Sequence, residues 1–245
     1  GVFAWSAINR NKVAINVETT IENQSTSPSP IIIVSAYLTD RDGKIVARSK
    51  DQHTFIDINK AQPVVSNLTL SNFHPSTLDD PYLYRVVVEV KINNKIIYRQ
   101  QLRYGLRHID IKPNGVFLNG KHIKLLGVNN HQDHAGVGSA LPDYLQYYRI
   151  RLLKNMGVNA YRSSHNAPTP ELLDACDSLG MLVMDEQRLL NSSPEYMGQF
   201  ERLIKRDRNH PSVFMWSIGN EEGWIHTSSV GKRIAQTFIT KQKEL

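Results

Sequence analysis

One cysteine stands among the 245 residues, Cys176, so no internal disulfide and no cysteine-built zinc site is available, and the fold must rest on its core. Glycine and proline, at 14 and 11 residues, are too scarce for a collagen-like or low-complexity chain, while 40% hydrophobic residues are too many for a disordered one. No apolar run approaches the roughly 18 residues of a membrane-spanning helix, so no membrane partner is expected. The opening segment Gly1-Val2-Phe3-Ala4-Trp5-Ser6 lacks the basic, apolar and cleavage regions of a signal peptide. A targeting segment is thus expected to be either removed or never present, and cytoplasm and periplasm both stay open. Concentrated positive charge is missing as well. The net charge of +6 is spread evenly, with twelve basic against nine acidic residues through position 105 and seventeen against fourteen after it. The one short basic cluster, Lys205-Arg206-Asp207-Arg208, is interrupted by an acid, which speaks against a nucleic-acid partner.

What is present changes character near residue 105. Before it, short strand-like runs alternate with turn signals: Val13, Ile15 and Val17 in alternation, then 31–38, 44–49, 54–58, 64–70, 83–91 and 95–103. Asp40-Arg41-Asp42-Gly43 reads as a turn and Asn93-Asn94 as a hairpin turn. About seven strands in roughly 100 residues predict an immunoglobulin-like β-sandwich over 1–105, held by apolar packing alone. After residue 105 strands and helices alternate. Strands are predicted at 124–129, 159–164, 181–184 and 213–218. Helices are predicted from a cap at Asp143 to Met156, from Thr169-Pro170-Glu171 to Gly180, from Ser193-Pro194-Glu195 to before Pro211, and from Thr227 onward. Four βα units imply a parallel sheet with right-handed crossovers. No glycine-rich phosphate turn follows the first strand, which argues against a dinucleotide-binding sheet. About 140 residues are too few for a whole (β/α)8 barrel of roughly 250, so 106–245 is expected to be the N-terminal half of one.

Chemistry in such folds gathers where parallel strands end. The four predicted strands run into Asn129-Asn130-His131-Gln132-Asp133-His134, Arg162-Ser163-Ser164-His165-Asn166, Asp185-Glu186 and Asn220-Glu221-Glu222. Apolar strand bodies with titratable, hydrogen-bonding ends predict a polar pocket suited to a sugar. Plainer readings stand beside this one. His131, Asp133 and His134 have some metal-ligand character but no distant fourth ligand. Asp185 and Glu186 are expected to pair with Arg162 or Arg188. Glu221 and Glu222 are adjacent, so their side chains should point apart and only one can face a pocket. Cys176, Trp216 and His210 are expected to serve the structure.

Several segments together resemble glycoside hydrolase family 2: Tyr82-Leu83-Tyr84, Gly105-Leu106-Arg107, Leu118-Asn119-Gly120-Lys121, Gly127-Val128-Asn129, Asn159-Ala160-Tyr161-Arg162-Ser163-Ser164-His165, Val183-Met184-Asp185-Glu186, and Arg206-Asp207-Arg208-Asn209-His210-Pro211-Ser212 leading into Trp216-Ser217-Ile218-Gly219-Asn220-Glu221. They occur in the family's order, and the wording is most similar to bacterial β-galactosidases. The resemblance implies a retaining β-glycosidase without a cofactor and a carbohydrate substrate, most readily a terminal β-D-galactoside. It implies Glu221 as general acid/base, Asn220 on the sugar 2-hydroxyl, His131 and His165 lining the sugar subsite, Arg162 near the nucleophile, and Asp133 as a further substrate contact. The family's nucleophile, a glutamate on a later barrel strand, and its N-terminal jelly roll have no counterpart here. The chain is therefore expected to be an internal segment, inactive by itself. Leu189-Leu190-Asn191-Ser192 stands where some members carry magnesium ligands, and no metal is expected. The alternatives are a β-glucuronidase or β-mannosidase of the same family, or a non-catalytic interaction module whose open sheet edges favour a homo-oligomer.

Overall fold

The computed structural model describes residues 1–245, which divide into two compact units: Gly1–Ser76 with Tyr82–His108, and Thr77–Pro81 with Ile109–Leu245. The first unit holds eight strands: β1 (Val2–Asn9), β2 (Lys12–Asn23), β3 (Ile32–Thr39), β4 (Ile45–Arg48), β5 (Gln52–Thr54), β6 (Lys60–Ser71), β7 (Tyr84–Ile92) and β8 (Lys95–Tyr104). They form two sheets, ordered β1-β2-β6 and β4-β3-β7-β8, with β5 paired to β3. Every pairing is antiparallel. Alternation puts Val13, Ile15 and Val17 of β2, Val34 and Ala36 of β3, Leu68 of β6 and Val86 and Val88 of β7 into one core drawn from both sheets. Each of the valine, isoleucine and leucine side chains contributes about 1.5–3 kcal/mol on burial, which replaces the absent disulfide. Asn93 and Asn94 both adopt positive φ, as the predicted two-residue hairpin turn between β7 and β8 requires.

Three features of this unit and the next differ from expectation. Strand β1 was not predicted; it is an edge strand in which only Ala4 is fully buried, so its apolar period is faint. The strand expected at 54–58 is the three-residue β5, because Phe55 is exposed and Ile56 leaves the sheet, its N–H donating to Ser29 Oγ. A small antiparallel sheet of β9 (Ile109–Lys112), β10 (Gly115–Leu118) and β11 (Lys121–Ile123) opens the second unit, its strands too short to show a pattern.

Four parallel strands follow: β12 (Gly127–Asn130), β13 (Ala160–Ser163), β14 (Leu182–Glu186) and β15 (Val213–Ser217). Helices α1 (Asp143–Asn155), α2 (Pro170–Leu179) and α3 (Pro194–Asp207) alternate with them, and α4 (Gly223–His226) and α5 (Ser229–Glu244) close the chain. The strand order β12-β13-β14-β15 is sequential, without the reversal that marks a doubly wound sheet. This is a partial (β/α)8 barrel, unclosed. No helix is long and apolar enough to cross a membrane.

Helix boundaries follow local chemistry with one correction. Thr169 and Ser193 occupy N-cap positions ahead of Pro170 and Pro194, as predicted, though neither hydroxyl makes a capping hydrogen bond; Pro142 rather than Asp143 holds the N-cap position of α1, and Asp143 is its first-turn acid. Ser228 caps α5, accepting from the Gly231 N–H at 3.0 Å. Tyr161, Leu172, Leu173, Cys176 and Val183 pack the helix-facing side of the sheet.

Gly180 ends α2 in a left-handed conformation, φ +73, where a Cβ would stand 2.2 Å from the Leu78 carbonyl oxygen. Gly157 also has positive φ, +86, but open space beside it. Both alanine substitutions cost about 1–2 kcal/mol in backbone conformation. Gly180→Ala is therefore expected to lower Tm further than Gly157→Ala, at about 2–4 °C per kcal/mol for a chain of this size. Equal losses in thermal melts would mean that the Leu78 carbonyl does not pack on Gly180 in solution.

Candidate active site

Register assembles the site. Arg162 on β13 pairs with Met184, Met184 with Met215, and Glu186 with Ser217. Side chains alternate across a strand, so Arg162, Glu186 and Ser217 share one face at the strands' C-terminal ends. Tyr161, Val183 and Asp185 turn the other way, toward the helices.

Glu186 is fully buried and holds the group together. Its Oε2 accepts from Arg162 Nε at 2.6 Å and from Ser217 Oγ at 2.9 Å, and its Oε1 lies 2.8 Å from His165 Nδ1. A carboxylate only accepts, so Nδ1 carries the proton and His165 Nε2 is left for another partner. Arg162 Nη2 also donates to Asn220 Oδ1 at 3.1 Å. Arginine offers no acceptor, so this contact sets the Asn220 amide with its Nδ2 free to donate elsewhere. The His131 ring meets the His165 ring edge-on, centroids 5.3 Å apart. From α1, Arg149 Nη2 donates to Asn130 Oδ1 and to the His131 carbonyl, and Tyr161 Oη donates to the Asn130 carbonyl at 3.3 Å. The end of β12 is thereby tied to the first helix.

Of the residues singled out by sequence, Arg162, His165, Asn220 and His131 are thus brought into one constellation. Glu221 follows Asn220 directly, exposed and at φ +54, an uncommon conformation for a residue with a side chain. Glu222 Oε2 accepts from the Asn220 N–H at 3.1 Å and lies 3.0 Å from His226 Nε2; both glutamates lie beyond the end of β15, so strand alternation does not set their directions. Asp133 is exposed in the loop after β12, with no hydrogen bond or ion pair to the others. Sequence reasoning gave Glu186 only a pairing role and passed over Ser217 and Arg149. The two-residue period of β14 was the available signal for Glu186; nothing local marks the other two.

The expectation for Asp185 fails. It pairs with neither Arg162 nor Arg188 but is buried on the helix side, opposite Trp216, near Asp207 and Arg206 of α3. Arg206 grips Asp207 with both fork nitrogens at 2.6 and 2.7 Å, whereas neither Asp185 oxygen has a geometrically sound hydrogen-bond partner. Burial, reinforced by the Asp207 carboxylate, pushes the Asp185 carboxyl up to about 8. The spacing weighed for His131, Asp133 and His134 does not converge on a metal. Asp174, Asp177 and His210 do bring ligand atoms within 4.8 Å of one another. There, however, Asp177 already takes His210 Nδ1 at 2.6 Å and the Ser212 N–H at 2.9 Å, an ion pair that braces the loop entering β15. Cys176 is fully buried among apolar neighbours.

Residues 3–107 match the family described as Glycosyl hydrolases family 2, and residues 109–194 and 190–243 match Glycosyl hydrolases family 2, TIM barrel domain. The chain is 35% identical over 234 residues to the beta-galactosidase BoGH2A of Bacteroides ovatus, covering 89% of this chain and 27% of that protein. It is 31% identical over 252 aligned positions to a beta-glucuronidase of Formosa agariphila, covering 97% of this chain and 25% of that protein. The crystal structure of a glycosyl hydrolase family 2 member from Bacteroides cellulosilyticus superposes with a TM-score of 0.93 at 33% identity, over 100% of this chain and 34% of that one. The chain thus spans about a quarter to a third of the length of these relatives.

Two measurements probe this arrangement. Glu186→Gln leaves Arg162 without its buried counter-charge and is expected to cost about 3–5 kcal/mol in denaturant unfolding. Ser217→Ala, which removes one hydrogen bond to the charge, should cost about 1.5–3; a neutral Glu186→Gln would refute the central role given to this carboxylate. Between roughly pH 4 and 8 the unfolded chain has released the Asp185 proton while the folded chain retains it, so stability contributed at this site falls as pH rises. Asp185→Asn should flatten the fall in Tm across that window, and an unchanged slope would place its source elsewhere.

Proposed function

The chain belongs to glycosyl hydrolase family 2, and from that premise we propose that its strand-end group is the acid/base and sugar-holding part of a retaining β-glycosidase acting on terminal β-D-galactosides. Glu221 is the general acid/base, protonating the leaving oxygen and later activating water. Asn220 donates to the sugar 2-hydroxyl, a bond that strengthens as the oxocarbenium-like transition state forms. His131 and His165 line the sugar subsite, Arg162 stands beside the nucleophile, and Asp133 is a further substrate contact. The observation that carries the reading is the link Glu186–Arg162–Asn220, which sets a free amide donor at the strand ends one residue before Glu221.

A retaining enzyme needs a second carboxylate about 5–5.5 Å from the acid. On this reading it comes from beyond these 245 residues. Galactoside is favoured by the likeness to BoGH2A; the likeness to a beta-glucuronidase supports β-glucuronides as the alternative. For the 245 residues taken alone, the unpaired edges of β12 and β15 favour self-association; in a polypeptide carrying the remaining barrel strands, those strands take the same edges.

Chromogenic β-galactoside, β-glucuronide and β-mannoside offered to the 245-residue chain are expected to give no turnover above background. In a polypeptide extended by the remaining barrel strands, the galactoside should be cleaved fastest, and Glu221→Gln should lower kcat about 10²–10⁴-fold. Faster glucuronide cleavage would select the alternative. Turnover by the 245-residue chain itself, abolished by Glu221→Gln, would overturn the assignment of the nucleophile to another segment.

A further inference from the structure

A polar cleft of about 340 Å³ lies between the loop that follows β13, the end of β14 and helix α3. Its polar lining is Asn166, Gln187, Arg188, Gln199, Arg202 and Arg206, and no carboxylate is among the lining residues. Asn166 follows His165 by one residue and Arg188 follows Glu186 by two, so two of its lining residues are close in sequence to residues of the candidate site.

The three guanidinium groups are not equivalent. Arg206 is satisfied by Asp207 and by the Pro168 carbonyl at 2.7 Å, with Glu171 also in its field, and so forms a wall. Arg188 and Arg202 form no ion pair, although α3 is rich in acid–base pairs. Glu201, adjacent to Arg202, is taken by Lys205 at 2.5 Å and Lys241 at 3.5 Å, and Glu195 accepts from Gln199 at 3.4 Å. One turn before Arg202 stands Gly198, a residue that costs a helix interior about 1 kcal/mol relative to alanine. A Cβ there would stand 3.3 Å from Arg202 Nη1, so the glycine leaves room for the guanidinium to lie back along the helix. Buried Gln187, whose Nε2 makes only a 3.5 Å contact with Gln199, adds an amide donor.

We propose that this cleft binds an oxyanion, the carboxylate or sulfate of an acidic saccharide, between the guanidinium forks of Arg188 and Arg202. Planar forks bind such groups through paired charge-assisted hydrogen bonds, and a cleft without a carboxylate lining does not repel them. That the anion arrives on a saccharide rests on the glycosidase reading; that the cleft takes an anion does not.

The test titrates the whole chain with sodium sulfate, sodium glucuronate and galactose at constant ionic strength in chloride, following backbone amide shifts. Sulfate and glucuronate are expected to give saturable shifts at Asn166, Gln187, Arg188 and Arg202, and galactose none there. The exposed pair R188Q/R202Q should weaken both anions at least about tenfold with the circular dichroism spectrum unchanged. Gly198→Ala, which displaces the Arg202 guanidinium and not its charge, should weaken them less. Equal affinities for the two anions support capture of the anionic group alone, and tighter glucuronate supports capture of the sugar with it. Absent shifts, shifts produced equally by chloride, or shifts that survive in R188Q/R202Q would overturn the proposal. Failure of the glycosidase reading registers separately, as sugars that leave His131, His165 and Asn220 unperturbed.

Discussion

The buried charge of Glu186 is the constraint on which the second unit depends. A carboxylate with no exposure costs several kcal/mol unless it is paired and hydrogen-bonded. Its compensation comes from three places on two neighbouring strands and a loop: Arg162 on β13, His165 just after it, and Ser217 on β15. These partners reach it only in the observed register. A one-residue slip of β14 would turn Glu186 toward the helices and bring Asp185 to the site face, so the charge selects against the slip. Asn220 inherits its orientation from the same centre, through the second donor of Arg162.

Adjacent carboxyls on β14 thus meet opposite environments. Glu186 is neutralised by a cation and two further donors on the site face. Asp185, one residue earlier, sits among apolar groups and a second carboxylate, and burial holds it protonated to about pH 8. Two acids in one strand serve as an ion-pair hub and a neutral filler because the strand alternates and the sheet is covered by helices on one side. The Asp177–His210 pair braces the loop that enters β15.

The first unit shows how far pattern carries without covalent help. Strands β2 and β6 show alternation and β3 and β7 long buried β-branched runs, and all four were legible from the residues. Strand β1 and the three-residue β5 were not, because β1 fully buries only Ala4 and β5 is too short to leave a period. The same limit hid the β9–β11 sheet. In the second unit the helix boundaries at Thr169, Ser193 and Gly180 were legible because the proline and glycine that set them act locally, while the start of α1 shifted by one residue to Pro142.

The sequence by itself determined the two-part architecture, the sequential βα order and the residue types crowded at the strand ends. Periodicity, capping and turn chemistry are local, and motif wording survives in the linear chain. Only the tertiary structure decided which of those strand-end residues meet. It gathered Arg162, His165, His131 and Asn220 around Glu186, left Asp133 in solvent, turned Glu222 onto His226, and sent Asp185 to the back of the sheet. Those outcomes depend on register between strands some 20 to 35 residues apart in sequence, and no local pattern encodes that.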